Sequence, residues 1–122
     1  MSEPRYAYQG LDHLLHAPAR LSIATALYAN RGGLTFVELR ELCELSDGNL
    51  SRHLRKLEAE RVVHTAKRFV GRVPQTSVAM TSGGRERFER YVEQIRDIVE
   101  HDVPATERST TGTPAWTEGT TV

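Results

Sequence analysis

The stretch LSDGNLSRHLRKLE, Leu45 to Glu58, decides how the rest of the chain is read. Asp47-Gly48 is a dipeptide that ordinarily marks a tight turn, yet the leucines that follow, at 50, 54 and 57, repeat at helical spacing. Plotted at about 100° per residue, those leucines fall within roughly 60° of arc and make a core-facing stripe. Gly48, Asn49, Arg52, Arg55, Lys56 and Ala59 take the opposite side. The two signals agree if Ser46 is an N-cap and Asp47-Gly48 is the first turn of a helix. Asp47 is then favoured by the positive end of the helix dipole. It should project to the core side, about 130–140° from Arg52, and help to hold the turn. Gly48 leaves bare backbone on the polar side.

Upstream, Thr35 followed by Glu38 is a capping-box pattern and predicts a short helix from Phe36 to about Cys43. Leu21, Ala24, Leu27 and Tyr28 give helical spacing from Pro18 to Asn30, and Arg31-Gly32-Gly33 stops that helix. Leu11, Leu14 and Leu15 suggest one more short helix before Pro18. Downstream, Val62–His64 and Thr76–Met80 read as strands, with Phe69–Pro74 as a glycine- and proline-containing loop between them, giving a hairpin. Thr81 or Ser82 caps a last helix. Its Phe88, Tyr91, Val92, Ile95, Ile98 and Val99 alternate by three and four, the spacing of a helix–helix seam. Residues 1–10 read as an arm, 11–81 as the main domain, 82–102 as a dimerisation helix and 103–122, rich in Thr, Pro, Gly and Ser, as a disordered tail. The expected fold class is mainly α with a small β-hairpin (α+β).

Composition bounds the function. The 122 residues suit one domain, and 39% apolar content fills one small core. No apolar run approaches the roughly 18 residues that span a bilayer, and MSEPRYAYQG lacks the features of a secretory signal. An intracellular, cytoplasmic protein is expected, with no membrane partner. Cys43 is the single cysteine, so no internal disulfide and no cysteine-pair metal site can form. Net charge is zero, but residues 47–76 carry seven cations against three acids, whereas residues 85–107 carry four against seven. A local excess of this kind attracts phosphates while the whole molecule stays neutral.

A short helix, a tight turn and a second helix with a polar, cationic outer face is a helix-turn-helix arrangement, whose second helix enters the DNA major groove. Arg, Lys, Asn and Ser are the residue types that reach base edges and phosphates there. Lys67, Arg68, Arg72 and Gln75 concentrate on and beside the hairpin tip, where a DNA-binding wing needs them. At LDHLLHAPARLSIATAL, LTFVELRELCELSDGNLSRHLRKLE and VAMTSGGRERFERYV the sequence resembles winged-helix transcriptional regulators of the MarR/ArsR broad group, in a small single-domain branch. The resemblance covers roughly residues 11–99. It implies a homodimer on a near-palindromic operator in double-stranded DNA, usually as a repressor. Residues 46–56 match the recognition segment, and residues 67–75 match the wing. One departure is Arg61, where such proteins commonly have glycine. Either the turn uses another backbone geometry or Arg61 adopts a strained left-handed one.

The DNA-contact candidates are therefore Ser46, Gly48, Asn49, Ser51, Arg52, His53, Arg55, Lys56, Lys67, Arg68, Arg72 and Gln75. The dimer-interface candidates are Leu11, Leu14, Leu15, Phe88, Tyr91, Val92, Ile95, Ile98 and Val99. His53 lies beside the leucine stripe, which favours packing or phosphate bonding over base reading. Asp12, His13 and His16 could seed a metal site, but no second ligand pair has suitable spacing, so no metal and no cofactor are assigned. Cys43 suits a buried packing role. Arg20 fits a structural ion pair or a phosphate contact equally. No nucleophile elbow or glycine-rich phosphate loop points to an enzyme. A protein–protein adaptor lacking DNA binding, and a metal- or ligand-responsive sensor on the same scaffold, remain as alternatives. The small-molecule effector is unknown.

Overall fold

The computed structural model describes residues 10–102. In chain order the elements are α1 (Pro18–Ala29), β1 (Leu34–Thr35), α2 (Phe36–Cys43), α3 (Asp47–Ala59), β2 (Val63–Val70), β3 (Val73–Met80) and α4 (Ser82–Asp102). The strands form one antiparallel sheet in the order β1-β3-β2. This is the mainly α architecture with a small β element that the sequence predicts. Among the described residues no helix is long and apolar enough to cross a membrane.

Local signals explain the helix ends. The Thr35 hydroxyl accepts from the Glu38 amide at 3.1 Å while the Glu38 carboxylate accepts from the Thr35 amide at 2.9 Å, completing the capping box. Ser46 caps α3 by accepting from the Asn49 amide at 3.2 Å. Thr81 caps α4 through the Gly84 amide at 2.8 Å. Its hydroxyl also donates to the Arg61 carbonyl at 2.6 Å, tying the start of α4 to the end of the recognition segment.

Two sequence expectations are corrected and one element is added. Residues 11–17 form a single turn instead of a short helix: the Asp12 carboxylate caps it by accepting from the Leu14 and Leu15 amides at 3.0 and 3.3 Å, and extended Ala17, before Pro18, ends it. Phe69–Pro74 is not a loop: both strands continue to Val70 and Val73, and only Gly71-Arg72 turn. Gly71 has φ 66°, as the first central position of a type II′ hairpin requires. Pro74 is tolerated because it pairs with Phe69 one step beyond the turn-flanking pair, so its missing donor faces away from β2. There β1 no longer runs alongside. Finally, β1 itself is a two-residue pairing of Leu34 and Thr35 with Val78 and Ser77, too short to read from sequence. It demands Gly33, where φ is 89° and an added Cβ would sit 2.7 Å from the Val78 carbonyl oxygen.

The core gathers Leu14, Leu15, Ile23, Ala24, Leu27, Leu34, Leu39, Leu50, Leu54, Leu57, Val62, Val63, Val78, Phe88 and Tyr91. Leu50, Leu54 and Leu57 all point inward. Leu14, Leu15, Phe88 and Tyr91 are thus used by the chain's own core, which corrects their assignment to an intermolecular surface. Leu11 is half-buried against the same core. The rest of the proposed seam remains at the surface: Val92 and Val99 are exposed, Ile95 and Ile98 half-buried.

Candidate nucleic-acid interface

The sequence between α2 and α3 leaves the tight turn at Glu44, which adopts left-handed geometry with φ 53° and closes α2 through its own amide to the Arg40 and Glu41 carbonyls. At the other end of α3, Arg61 has φ 60°, so the strained alternative holds at that position. The recognition helix is bracketed by two non-glycine left-handed residues, each costing about 1–2 kcal/mol relative to ordinary helical backbone.

On the outer side of α3, Ser46, Gly48, Asn49, Arg52, Arg55 and Lys56 are exposed, and Ser51 and His53 are half-buried. Arg52 donates to the Asn49 side-chain oxygen at 3.2 Å, so the two amide- and guanidinium-bearing side chains stand as one polar unit. On the hairpin, Lys67, Arg68 and Arg72 are exposed and Gln75 is half-buried. Strand alternation divides them: Lys67 shares a face with Thr65 and Thr76 and borders a cleft of about 420 Å³ with Ser51, Leu54 and Arg55 of α3. Arg68 and Gln75 form a cross-strand pair on the opposite face, and Arg72 stands in the turn. The structure therefore brings Lys67 to the recognition helix and holds Arg68, Arg72 and Gln75 apart from it on the wing.

The three acids of α3 and its C-cap, Asp47, Glu58 and Glu60, each have a partner. Asp47 accepts from the Arg40 guanidinium at 2.7 Å across the turn from α2. It is exposed, not directed to the core, which corrects the sequence placement while keeping its turn-holding role. Glu58 accepts from the Thr65 hydroxyl of β2 at 2.6 Å. Glu60 accepts from Arg87 of α4 at 3.0 Å. By contrast, none of Arg52, Arg55, Lys56, Arg61, Lys67, Arg68 and Arg72 forms an ion pair with a described residue. The outcome is a set of cations on α3 and the wing without ion pairs among the described residues, while Asp47, Glu58 and Glu60 are tied to other side chains. Sequence reading missed Arg40, Thr65 and Arg87 in this role. Only the Arg40–Asp47 pair leaves any sequence signal, as a cation and an acid facing each other across a helix-turn-helix turn.

Arg20 makes neither an ion pair nor a free cation. Its guanidinium donates to the Leu14 carbonyl at 2.7 Å and to the His53 Nδ1 at 3.4 Å. Because guanidinium nitrogens only donate, Nδ1 is the acceptor and the neutral imidazole carries its proton on Nε2. Burial, then the charges of Arg20, Arg52 and Lys56, push the His53 pKa below its ordinary value. Asp12 and His16 have other partners: Arg87 grips the Asp12 carboxylate at 2.6 and 3.0 Å, and His16 Nδ1 lies 2.7 Å from the Tyr91 hydroxyl. The hydrogen bond from Arg87 holds the Asp12 carboxyl below the usual carboxylate range. Cys43 is half-buried against the core, and burial pushes its thiol pKa up.

The family described as winged helix DNA-binding domain matches residues 19–99, two-thirds of the sequence. This chain belongs to that family. It is similar to an uncharacterized protein of Methanocaldococcus jannaschii, with 37% identity over 89 residues, covering 70% of this chain and 91% of the relative. Its structure resembles that of a transcriptional regulator homologue from Pyrococcus horikoshii OT3, with a TM-score of 0.70, 30% identity and coverage of 76% and 91%. A Staphylococcus aureus MepR–DNA complex shares the fold, at a TM-score of 0.57, 18% identity and coverage of 76% and 70%.

Proposed function

We propose that this winged-helix protein is a homodimeric, sequence-specific DNA-binding transcriptional regulator that acts as a repressor. The observation that carries the reading is the pattern of ion pairing: seven cations on and between α3 and the wing form no ion pair with a described residue, while Asp47, Glu58 and Glu60 beside them are each held by another side chain. A surface that keeps its cations free and its acids engaged is built to receive phosphates. Family membership and the likeness to a Pyrococcus regulator homologue support the same reading.

In this reading α3 enters the major groove with its N-terminal half leading. Asn49, Ser51, Arg52 and Lys56 meet base edges or flanking phosphates. Lys67, Arg68 and Arg72 bind backbone or the minor groove. A second copy docks along α4 through Val92, Ile95, Ile98 and Val99, setting the two recognition helices about 34 Å apart on a near-palindromic site. A duplex selected from a random-sequence pool provides the probe. On it, Arg52→Ala should weaken binding by about 1–3 kcal/mol and relax the selected sequence, whereas Arg72→Ala should weaken binding to all duplexes and reduce the salt slope by about one. Equal losses for Arg52→Ala on selected and random DNA would remove Arg52 from base reading. Absence of any gel shift at low salt would favour a protein–protein adaptor.

A further inference from the structure

The wing carries a second chemistry that its cations do not explain. Phe69, Val70 and Val73 are 73%, 56% and 65% exposed, and all three sit within two residues of the hairpin turn. Nearer the core, Leu34, Val63 and Val78 of the same sheet are buried and Met80 is half-buried. The tip is also stiff. Its turn has only two residues, and the strands pair without interruption up to Val70 and Val73. β1 pairs with the sheet only as far as Ser77, so residues 67–70 and their partners project beyond β1 by roughly 13 Å, four residues at strand rise.

The charged residues of the hairpin are all cationic. From Val63 to Met80 the chain contains Lys67, Arg68 and Arg72 and not one Asp or Glu. An apolar cap for another protein is ordinarily rimmed by mixed polar residues. An apolar point whose charged neighbours on the hairpin are all cations fits a partner that is polyanionic outside and apolar inside. Duplex DNA has that construction, with phosphates at the groove edge and stacked bases within.

We propose that the wing tip is a minor-groove wedge: Phe69, with its cross-strand partner Pro74 beside it, presses between two base pairs and opens the step, while Arg68 and Arg72 hold the flanking phosphates. This rests on the DNA-binding reading above and deepens it. Apolar wedges partly unstack base steps and bend the duplex toward the major groove. Pyrimidine–purine steps deform most easily, so the wing contributes sequence preference at a position it reads by deformability rather than by hydrogen bonds.

The test uses the full chain and the selected duplex, with 2-aminopurine placed in turn at each step under the wing. Binding of the unaltered protein should raise the fluorescence at one step, and circularly permuted fragments should show a bend there. Phe69→Ser and Phe69→Ala, at an exposed position, should keep the thermal midpoint and the salt slope. They should abolish the fluorescence rise and the bend, and lower affinity about tenfold. Phe69→Trp should restore the rise. Tight binding with no rise and no bend, and with Phe69→Ser equal to the unaltered protein, overturns the wedge while leaving DNA binding intact. Failure to bind any duplex overturns both.

Discussion

At His53 the imidazole sits half-buried between α1 and α3, with Arg20 at its Nδ1 and Arg52 and Lys56 on its own helix. Its folded pKa is lowered, so the sign of the linkage follows directly. Above about pH 6.5 both folded and unfolded chains hold a neutral imidazole, and His53 contributes no pH dependence. As pH falls through that value the unfolded chain takes up the proton first. Stability therefore drops below about pH 6.5 and levels off once the folded imidazole is protonated too. Urea unfolding at a series of pH values should show this slope, and His53→Gln should flatten its His53 portion. Arg61 carries a different residue-scale strain. Its φ of 60° is visible only in the structure, although the absence of glycine at that position already raises the question in the sequence.

The elements are positioned by backbone contacts that composition does not announce. Gly83 and Gly84 are neighbours at the start of α4 and look alike in sequence. A Cβ on Gly83 meets nothing, whereas one on Gly84 would run into the backbone carbonyl of Val62. Together with the Thr81 hydroxyl on the Arg61 and Val62 carbonyls, this close approach fixes where α4 leaves the wing. Gly84→Ala should cost about 2 kcal/mol or more, since backbone cannot give way as a side chain can. Gly83→Ala, with open space for its Cβ, should be neutral or stabilise by up to about 1 kcal/mol. Paired urea titrations decide it, and equal effects would contradict this packing. The caps at Thr35 and Ser46 were legible because capping acts over three residues. The hairpin was half legible: Val78 and Met80 alternate plainly, but Phe69 to Pro74 contains Gly and Pro and imitates a loop. Proline's place one step from the turn, where its nitrogen faces no strand, makes those residues pair after all.

Across the whole molecule α4 divides one apolar stripe between the interior and the surface. Phe88 and Tyr91 turn into the core, and the Tyr28 ring packs on Phe88 at 4.8 Å while Arg85 lies over Tyr28 at 4.3 Å. Further along, Val92, Ile95 and Val99 border an open groove of about 640 Å³ with Leu21 and Thr25 of α1. Under the homodimer reading this groove receives the partner's α4. Val99→Glu, at an exposed position, should leave the fold's melting temperature nearly unchanged, shift sedimentation to the monomer, and weaken binding to a two-half-site duplex far more than to a single half-site. An unchanged sedimentation profile would place the seam elsewhere. The same stripe read as a uniform 3-4 pattern gives no hint of this division, because periodicity reports which side is apolar and not what lies against it.

The sequence by itself determined the helix-turn-helix, its caps, the leucine stripe of α3, the cationic character of residues 47–76 and the existence of a hairpin. All of these follow from spacing or charge within a dozen residues. Tertiary structure alone decided which cations are free, because Arg40, Thr65 and Arg87 draw off Asp47, Glu58 and Glu60, the last across 27 positions. It alone decided that Leu14, Leu15, Phe88 and Tyr91 are interior, that Arg61 is left-handed, and that Phe69, Val70 and Val73 stand bare at the wing tip. Each of these depends on what the third dimension places beside a residue, and no local pattern encodes that.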